Sequence, residues 1–312
     1  MQIKVLFVRS GNGGIDPITT NQGKSLAREG IELEYFDIIG KGIFGYLSNI
    51  KKLRKRIKCF RPDLIHCHYS LSCFLASLTL SGKPIIASLM GSDIYSSNKI
   101  KLVLIKLLSR FYWKSTIVKS EDLFKKLGIG TAEIIPNGVN YDDFKLVNKN
   151  DAMSILGWDS KQYHILFASD PLRPEKNFQL ANIAVKRLIE KNINVETHFL
   201  TGIEFSKMVL YYCAADVLLM TSLYEGSPNV IKEAMVCNCP IVTTDVGDVK
   251  EILNKINGSF IVGNNEELVE EGLVKALNFN SRTNGRESIR GLESSLIASR
   301  LIKLYETLLS SN

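Results

Sequence analysis

The sequence has no Cys-x-x-Cys pair, no Asp-x-Asp triplet and no apolar stretch of about 18 residues. It also has no low-complexity tract and no short-period repeat. Each absence removes a class. Without an apolar span, nothing is expected to cross a membrane. The N-terminal apolar run, Ile3 to Val8, is too short for a signal peptide and has no cleavage site after it, so a cytoplasmic chain is expected. The six cysteines, at 59, 67, 73, 213, 237 and 239, fall mostly in apolar surroundings and read as reduced core thiols. Cys237-Asn-Cys239 is too tight for ordinary zinc ligation and has no histidine pair beside it. No required metal is expected. No nucleic-acid-binding motif accompanies the basic residues, so no nucleic-acid partner is expected.

What remains is an ordinary globular composition, 45% hydrophobic and 23% charged, in 312 residues. That length suits two α/β domains better than one. Apolar runs alternate with helical stretches from end to end. Strands are expected at 3–8, 32–38, 63–67, 84–89, 115–119 and 133–135, then at 163–168, 195–200, 216–220, 240–243 and 259–262. Such alternation predicts two doubly wound parallel sheets. The expected division is 1–147 and 148–295, with polar residues 141–160 as a linker and the tail 296–312 packing back on the first domain.

Charge divides unevenly between these halves. Up to Val147 there are 22 Lys and Arg against 12 Asp and Glu; the remainder carries 17 against 20, which together give the net +7. A basic first half points to an anionic partner. Its densest cluster is Lys51, Lys52, Arg54, Lys55, Arg56 and Lys58, which suits an anionic membrane surface or a solvated face. The stretch 101–113 is basic and strongly apolar, and reads as a core helix before a membrane-binding one.

The most informative segment is Ser222 to Glu233. Glu225 lies in a Gly-Ser-Pro turn, and Glu233 lies eight positions on, in the helix that follows. Unpaired N–H groups at a helix N-terminus favour phosphate. A glutamate on the first turns could accept from ribose hydroxyls, and one in the preceding turn from a sugar. The segment also lies between two short apolar strands, 216–220 and 240–243, so it occupies the crossover of a βαβ unit.

This segment resembles the Glu-x7-Glu motif of family-four retaining glycosyltransferases, which have the GT-B fold: two Rossmann-like doubly wound domains with a cleft between them. Further segments extend the resemblance along the whole chain. Arg173-Pro-Glu-Lys176 is similar to the family's Gly-Arg-Leu-x-x-Glu-Lys pattern, with the Gly-Arg end replaced around Ser169 to Pro171. Pro62-Asp63-Leu-Ile-His66-Cys-His68 resembles a family strand end, and Met90-Gly-Ser-Asp93 a His-Gly-x-Asp motif with methionine for histidine. The loop Ser10 to Asp16 is glycine-rich but breaks the dinucleotide fingerprint at Asp16; Asp37 keeps that alternative open.

The resemblance implies a retaining, metal-independent hexosyl- or N-acetylhexosaminyltransferase that uses a UDP- or GDP-sugar. Arg173 and Lys176 would hold the leaving diphosphate, and Glu225 would complete the catalytic group. Gly13, Gly14, Gly226, Ser227, Pro228, Asn229, Val230 and Glu233 would bind the donor. His68 and Asp93 would touch sugar or acceptor. The acceptor would be a glycan or a polyprenyl-diphosphate-linked sugar in cell-surface polysaccharide synthesis, reached at the inner face of the plasma membrane. Two rivals stay open: an epimerase of the same fold, and a non-catalytic nucleotide-sugar-binding subunit, which Met90 permits.

Overall fold

The structure, a computed structural model, describes residues 2–12, 14, 16–96, 98–167 and 169–310. The chain forms two compact units, Met1–Gly138 with Ser294–Asn312, and Val139–Glu293. The division at Gly138 precedes the expected 147, because Val139 and Phe144 are buried in the core of the second unit. Residues 141–160 are not a plain linker. They include the helix Lys149–Leu156, capped by Asn148 and ended by Gly157 at φ 70°.

The first unit is a parallel six-stranded sheet. Its strands are β1 (Lys4–Ser10), β2 (Glu32–Ile38), β3 (Leu64–His68), β4 (Ile85–Ser88), β5 (Ser115–Val118) and β6 (Glu133–Ile134), in the order β2-β1-β3-β4-β5-β6. The second unit is a parallel five-stranded sheet of β7 (Tyr163–Phe167), β8 (Val195–Phe199), β9 (Val217–Met220), β10 (Ile241–Thr244) and β11 (Ser259–Val262), in the order β11-β10-β9-β7-β8. Strands β3, β4, β5, β9 and β10 are buried throughout, as expected where helices cover both faces of a parallel sheet. In each unit the strand order reverses once, between β1 and β3 and between β7 and β9. Ligands of such sheets bind beyond the strand ends at that reversal.

The C-terminal helix, Ser294–Ser310, belongs to the first unit and packs against the helix Pro17–Arg28. Gly138 allows its start to come close, since a Cβ there would lie 2.8 Å from the Ser294 Cα. Tyr305 on this helix is fully buried, and its hydroxyl lies 2.6 Å from His66 Nδ1 on β3.

The stretch read as a core helix forms Lys99–Phe111, but its apolar side is only partly covered. Ile105 and Ser109 are buried; Ile100, Val103, Leu104, Leu107 and Phe111 are exposed, on one stripe at helical spacing. The core reading therefore holds for one face only. Among the described residues no helix is long and apolar enough to cross a membrane.

Candidate donor-nucleotide site

In the second unit, the loops after β7 and β9 meet at the strand-order reversal. Backbone bonds join them: Leu223 N–H donates to the Glu175 carbonyl at 2.9 Å. The Thr221 hydroxyl donates to the carbonyls of Lys176 and Asn177 at 3.1 and 3.0 Å. Lys176 ends the short turn Pro174–Lys176, and Asn177 follows at φ 50° to start the helix Phe178–Glu190. This places Lys176 Nζ 2.5 Å from Glu225 Oε1. Ser222 Oγ donates to the same oxygen at 2.8 Å. Both side chains of the ion pair keep some exposure, 13% for Lys176 and 17% for Glu225. The pair is thus within reach of a ligand.

The helix Asn229–Val236 begins at Pro228, which offers no side-chain cap to its first N–H groups. The turn before it is held from behind. Ser227 Oγ donates to Asp248 Oδ2, and Gly247, at φ 62°, lets the loop after β10 lie on the Gly226 carbonyl; a Cβ there would be 2.8 Å from that oxygen. Gly226, Ser227 and Pro228 are buried, while Asn229 and Val230 are half-buried.

Glu233, one turn into the helix, is also half-buried, and its Oε2 accepts from the Tyr212 hydroxyl at 2.7 Å. Burial raises its carboxyl from 4.5 to about 7, against the opposing pull of Tyr212 and Lys232. Neighbouring Lys232 is wholly buried, and burial lowers its ammonium to about 8 despite the nearby Asp248 and Glu233 charges. Sequence reading missed Tyr212, Ser222, Lys232 and Asp248. Ser222 and Lys232 lie inside the motif itself, but nothing in their residue type showed which way they would face.

Arg173 sits differently. Its guanidinium is 54% exposed and paired with Glu175, its Nε lying 2.8 Å from Oε1. It lies on the same loop as Lys176 but does not join the Lys176–Glu225 pair.

Four expected contacts belong to the first unit. Gly14 is at φ 84°, with open space where a Cβ would be; Gly13 lies outside the described residues. His68 and Asp93 were expected at a ligand surface and are buried instead. Asp93 Oδ1 accepts from Ser70 N and Oγ at 3.0 and 2.6 Å, and Oδ2 accepts from Met90 N at 2.9 Å. Both its oxygens thus serve the local fold. His68 stacks on His66 with ring centroids 4.6 Å apart and meets Phe7 edge-on at 4.6 Å. Among the described residues neither of its ring nitrogens has a hydrogen-bond partner. Asp37, which kept a dinucleotide reading open, is bound to Arg9 at 2.6 Å.

Two parallel α/β units, the second with a helix N-terminus that lacks a side-chain cap beside its strand-order reversal, have the GT-B architecture. In architecture the chain is similar to a sucrose-phosphate synthase from Thermosynechococcus elongatus, with a TM-score of 0.79 over 100% of both chains at 17% identity. Two family models match the sequence: "Glycosyl transferases group 1" over residues 161–278 and "Glycosyl transferase 4-like" over residues 10–121. The chain belongs to the family-four-like glycosyltransferases of the GT-B fold. Among curated proteins it is similar to a putative teichuronic acid biosynthesis glycosyltransferase of Bacillus subtilis (strain 168). The two are 24% identical over 238 residues, which cover 69% of this chain and 61% of that protein. It is also similar to a UDP-Gal:alpha-D-GlcNAc-diphosphoundecaprenol alpha-1,3-galactosyltransferase of Escherichia coli, 24% identical over 306 residues, covering 83% of this chain and 79% of the other.

Proposed function

We propose that the protein transfers a hexose or N-acetylhexosamine from a UDP- or GDP-sugar to a lipid-linked glycan acceptor during cell-surface polysaccharide synthesis, with retention of anomeric configuration. One observation carries this reading: Lys176, Glu225 and the open N-terminus of the Asn229–Val236 helix converge where the β7 and β9 loops meet. The acceptor class is supported by the E. coli relative, whose name specifies a diphosphoundecaprenol-linked substrate.

The chemistry follows from charge. As the glycosidic bond loosens, negative charge grows on the departing diphosphate. Lys176 and the amides of Ser227 to Val230 are fixed in advance to meet it. Glu225 neutralises Lys176 before the donor arrives, and its carboxylate is then free to accept from sugar hydroxyls. Glu233 Oε1 accepts from the ribose while Tyr212 holds Oε2. Arg173 joins the diphosphate by leaving Glu175. His68 and Asp93 hold in place the first-unit loops that meet the acceptor. No metal takes part in the transfer.

The acceptor is reached from a membrane surface. Lys51, Lys52, Lys55 and Lys58 are exposed on the helix Asn49–Phe60, and the stripe of Ile100, Val103, Leu104, Leu107 and Phe111 supplies apolar contact. The deciding experiment is turnover of UDP- and GDP-sugars with and without a polyprenyl-diphosphate-linked acceptor, with the anomer of the product read by NMR. Acceptor-dependent product of retained configuration supports the proposal. Donor epimerised without acceptor, or bound without turnover, would replace it with one of the rivals.

A further inference from the structure

Away from the donor site, the second unit brings together two of the chain's four histidines. His164 lies at the amino end of β7, and Glu196 and His198 lie on β8, the edge strand of the sheet. Parallel pairing sets His164 opposite Glu196, and Leu166 opposite His198, so the three side chains share one face. His164 Nδ1 is 2.9 Å from His198 Nε2 and 3.8 Å from Glu196 Oε2, and His198 Nε2 is 3.9 Å from the same oxygen.

Those separations have a simple geometric meaning. The point equidistant from all three atoms lies about 2 Å from each, which is the length of a zinc–nitrogen or zinc–oxygen bond. The surroundings fit the ligand role. His164 Nε2 lies 2.9 Å from the Asp159 carbonyl, so it carries the hydrogen and leaves Nδ1 with its lone pair toward the other two groups. Trp158 stacks flat on His198 at 3.6 Å between centroids, fixing the plane of that ring. His164 is wholly buried, His198 is 12% exposed, and Glu196 is 49% exposed, which leaves one side open to a water ligand.

We infer that His164, His198 and Glu196 form a divalent transition-metal site, best suited to Zn2+, that ties the edge strand β8 to β7 and to the Trp158 segment. Two imidazoles and one carboxylate are a borderline donor set, suited to Zn2+ and Co2+ rather than to Mg2+ or Ca2+. The ion takes the place of the hydrogen between the two ring nitrogens, and His198 then carries its proton on Nδ1. The site stands at the opposite end of β7 from the Arg173–Lys176 loop, so its role is structural rather than part of the transfer.

The test uses full-length protein stripped with chelator, with exposed Cys59 changed to serine to remove a competing thiol. Titration with ZnCl2 should give one saturable equivalent per chain and raise the melting temperature. Both effects should fall at least tenfold in affinity in Glu196→Gln and vanish in His198→Gln. CoCl2 should give the visible absorption of a four-coordinate nitrogen–oxygen site. Nucleoside diphosphate affinity should be unchanged in Glu196→Gln. Because Glu196 is half exposed, that variant should fold even if His198→Gln does not. Absence of saturable binding, binding unaffected by Glu196→Gln, or a thiolate-to-cobalt charge-transfer band would overturn the assignment.

Discussion

The two sheets reverse strand order in the same way but surround the reversal with different side chains. In the second unit the loops after β7 and β9 leave the Lys176–Glu225 ion pair within reach of a ligand, with half-buried Glu233 on the helix that follows. In the first unit the corresponding polar groups lie under cover. Arg9 is bound to Asp37, Thr19 and Thr20, and His66 is bound to Tyr305 of the C-terminal helix. Burial first, then nearby cations, lowers both His66 and His68 well below the usual histidine range. The same topology therefore leaves an ion pair accessible at the strand ends of one unit and buries the corresponding side chains in the other. The difference lies in what covers the strand ends. The first unit instead exposes lysines and an apolar stripe on its outer helices.

The largest effect expected from that contrast is on the second unit. Lys176→Ala should lower turnover about 100-fold or more at saturating donor, because it removes a fixed cation worth about 3 kcal/mol in the transition state. Arg173→Ala should cost less, since its guanidinium rests on Glu175. Steady-state kinetics with saturating donor measure both.

Next comes Glu233. Glu233→Ala should weaken nucleoside diphosphate binding by about 10- to 100-fold, the worth of roughly 1.5–3 kcal/mol of charged hydrogen bonds, as read by calorimetry. Stability of the ligand-free protein should move the other way. A carboxyl raised from 4.5 to about 7 favours the fold most below pH 4.5, and that contribution is lost as pH rises through 7. Glu233→Gln should therefore stabilise the protein at pH 8, by at most about 3 kcal/mol, and do little at pH 4.5. Melting curves at the two pH values check the sign.

Changes at the buried His66–Tyr305 contact should affect stability alone. Tyr305→Phe leaves His66 Nδ1 without its partner and should cost about 1–3 kcal/mol in denaturant unfolding. Nucleotide affinity should stay at the wild-type value. A parallel loss of affinity would show that the first unit's buried histidines act on the donor after all.

How much of this could be read in the sequence depends on how local the signal is. The eleven strands of the described residues were legible, most plainly β3, β4, β5, β9 and β10, which are short, mostly apolar, fully buried runs. The Glu225–Glu233 motif was legible because a turn and the helix after it are contiguous. Facts that depend on packing were not. The helix Lys149–Leu156 reads as polar, yet Ala152 and Met153 are buried beneath it. Conversely, 99–111 is apolar enough for a core, but composition does not say which neighbours cover it. The pairing of His164 with Glu196 arises from sheet register between separate strands, which no local pattern reveals.

The smallest effects are expected at the outer surface. Each lysine near an anionic leaflet contributes about 1 kcal/mol, screened by salt. Neutralising Lys51, Lys52, Lys55 and Lys58 should release the protein from anionic vesicles, as high salt should. Leu104→Ser with Phe111→Ser should weaken a salt-resistant component instead. Co-sedimentation at low and high salt separates the two, and wild-type protein that ignores anionic vesicles at low salt would rule out the membrane surface.

Everything proposed for the second unit depends on the nucleotide being held where the β7 and β9 loops meet. Hydrogen–deuterium exchange with and without a nucleoside diphosphate tests this most directly, since it reports protection segment by segment in the intact chain. Added UDP or GDP should slow exchange at 173–177 and 222–233, and leave β3 and the Ser294–Ser310 helix as they were. Saturating nucleotide that leaves 222–233 unprotected, or protects β3 in its place, would contradict that placement.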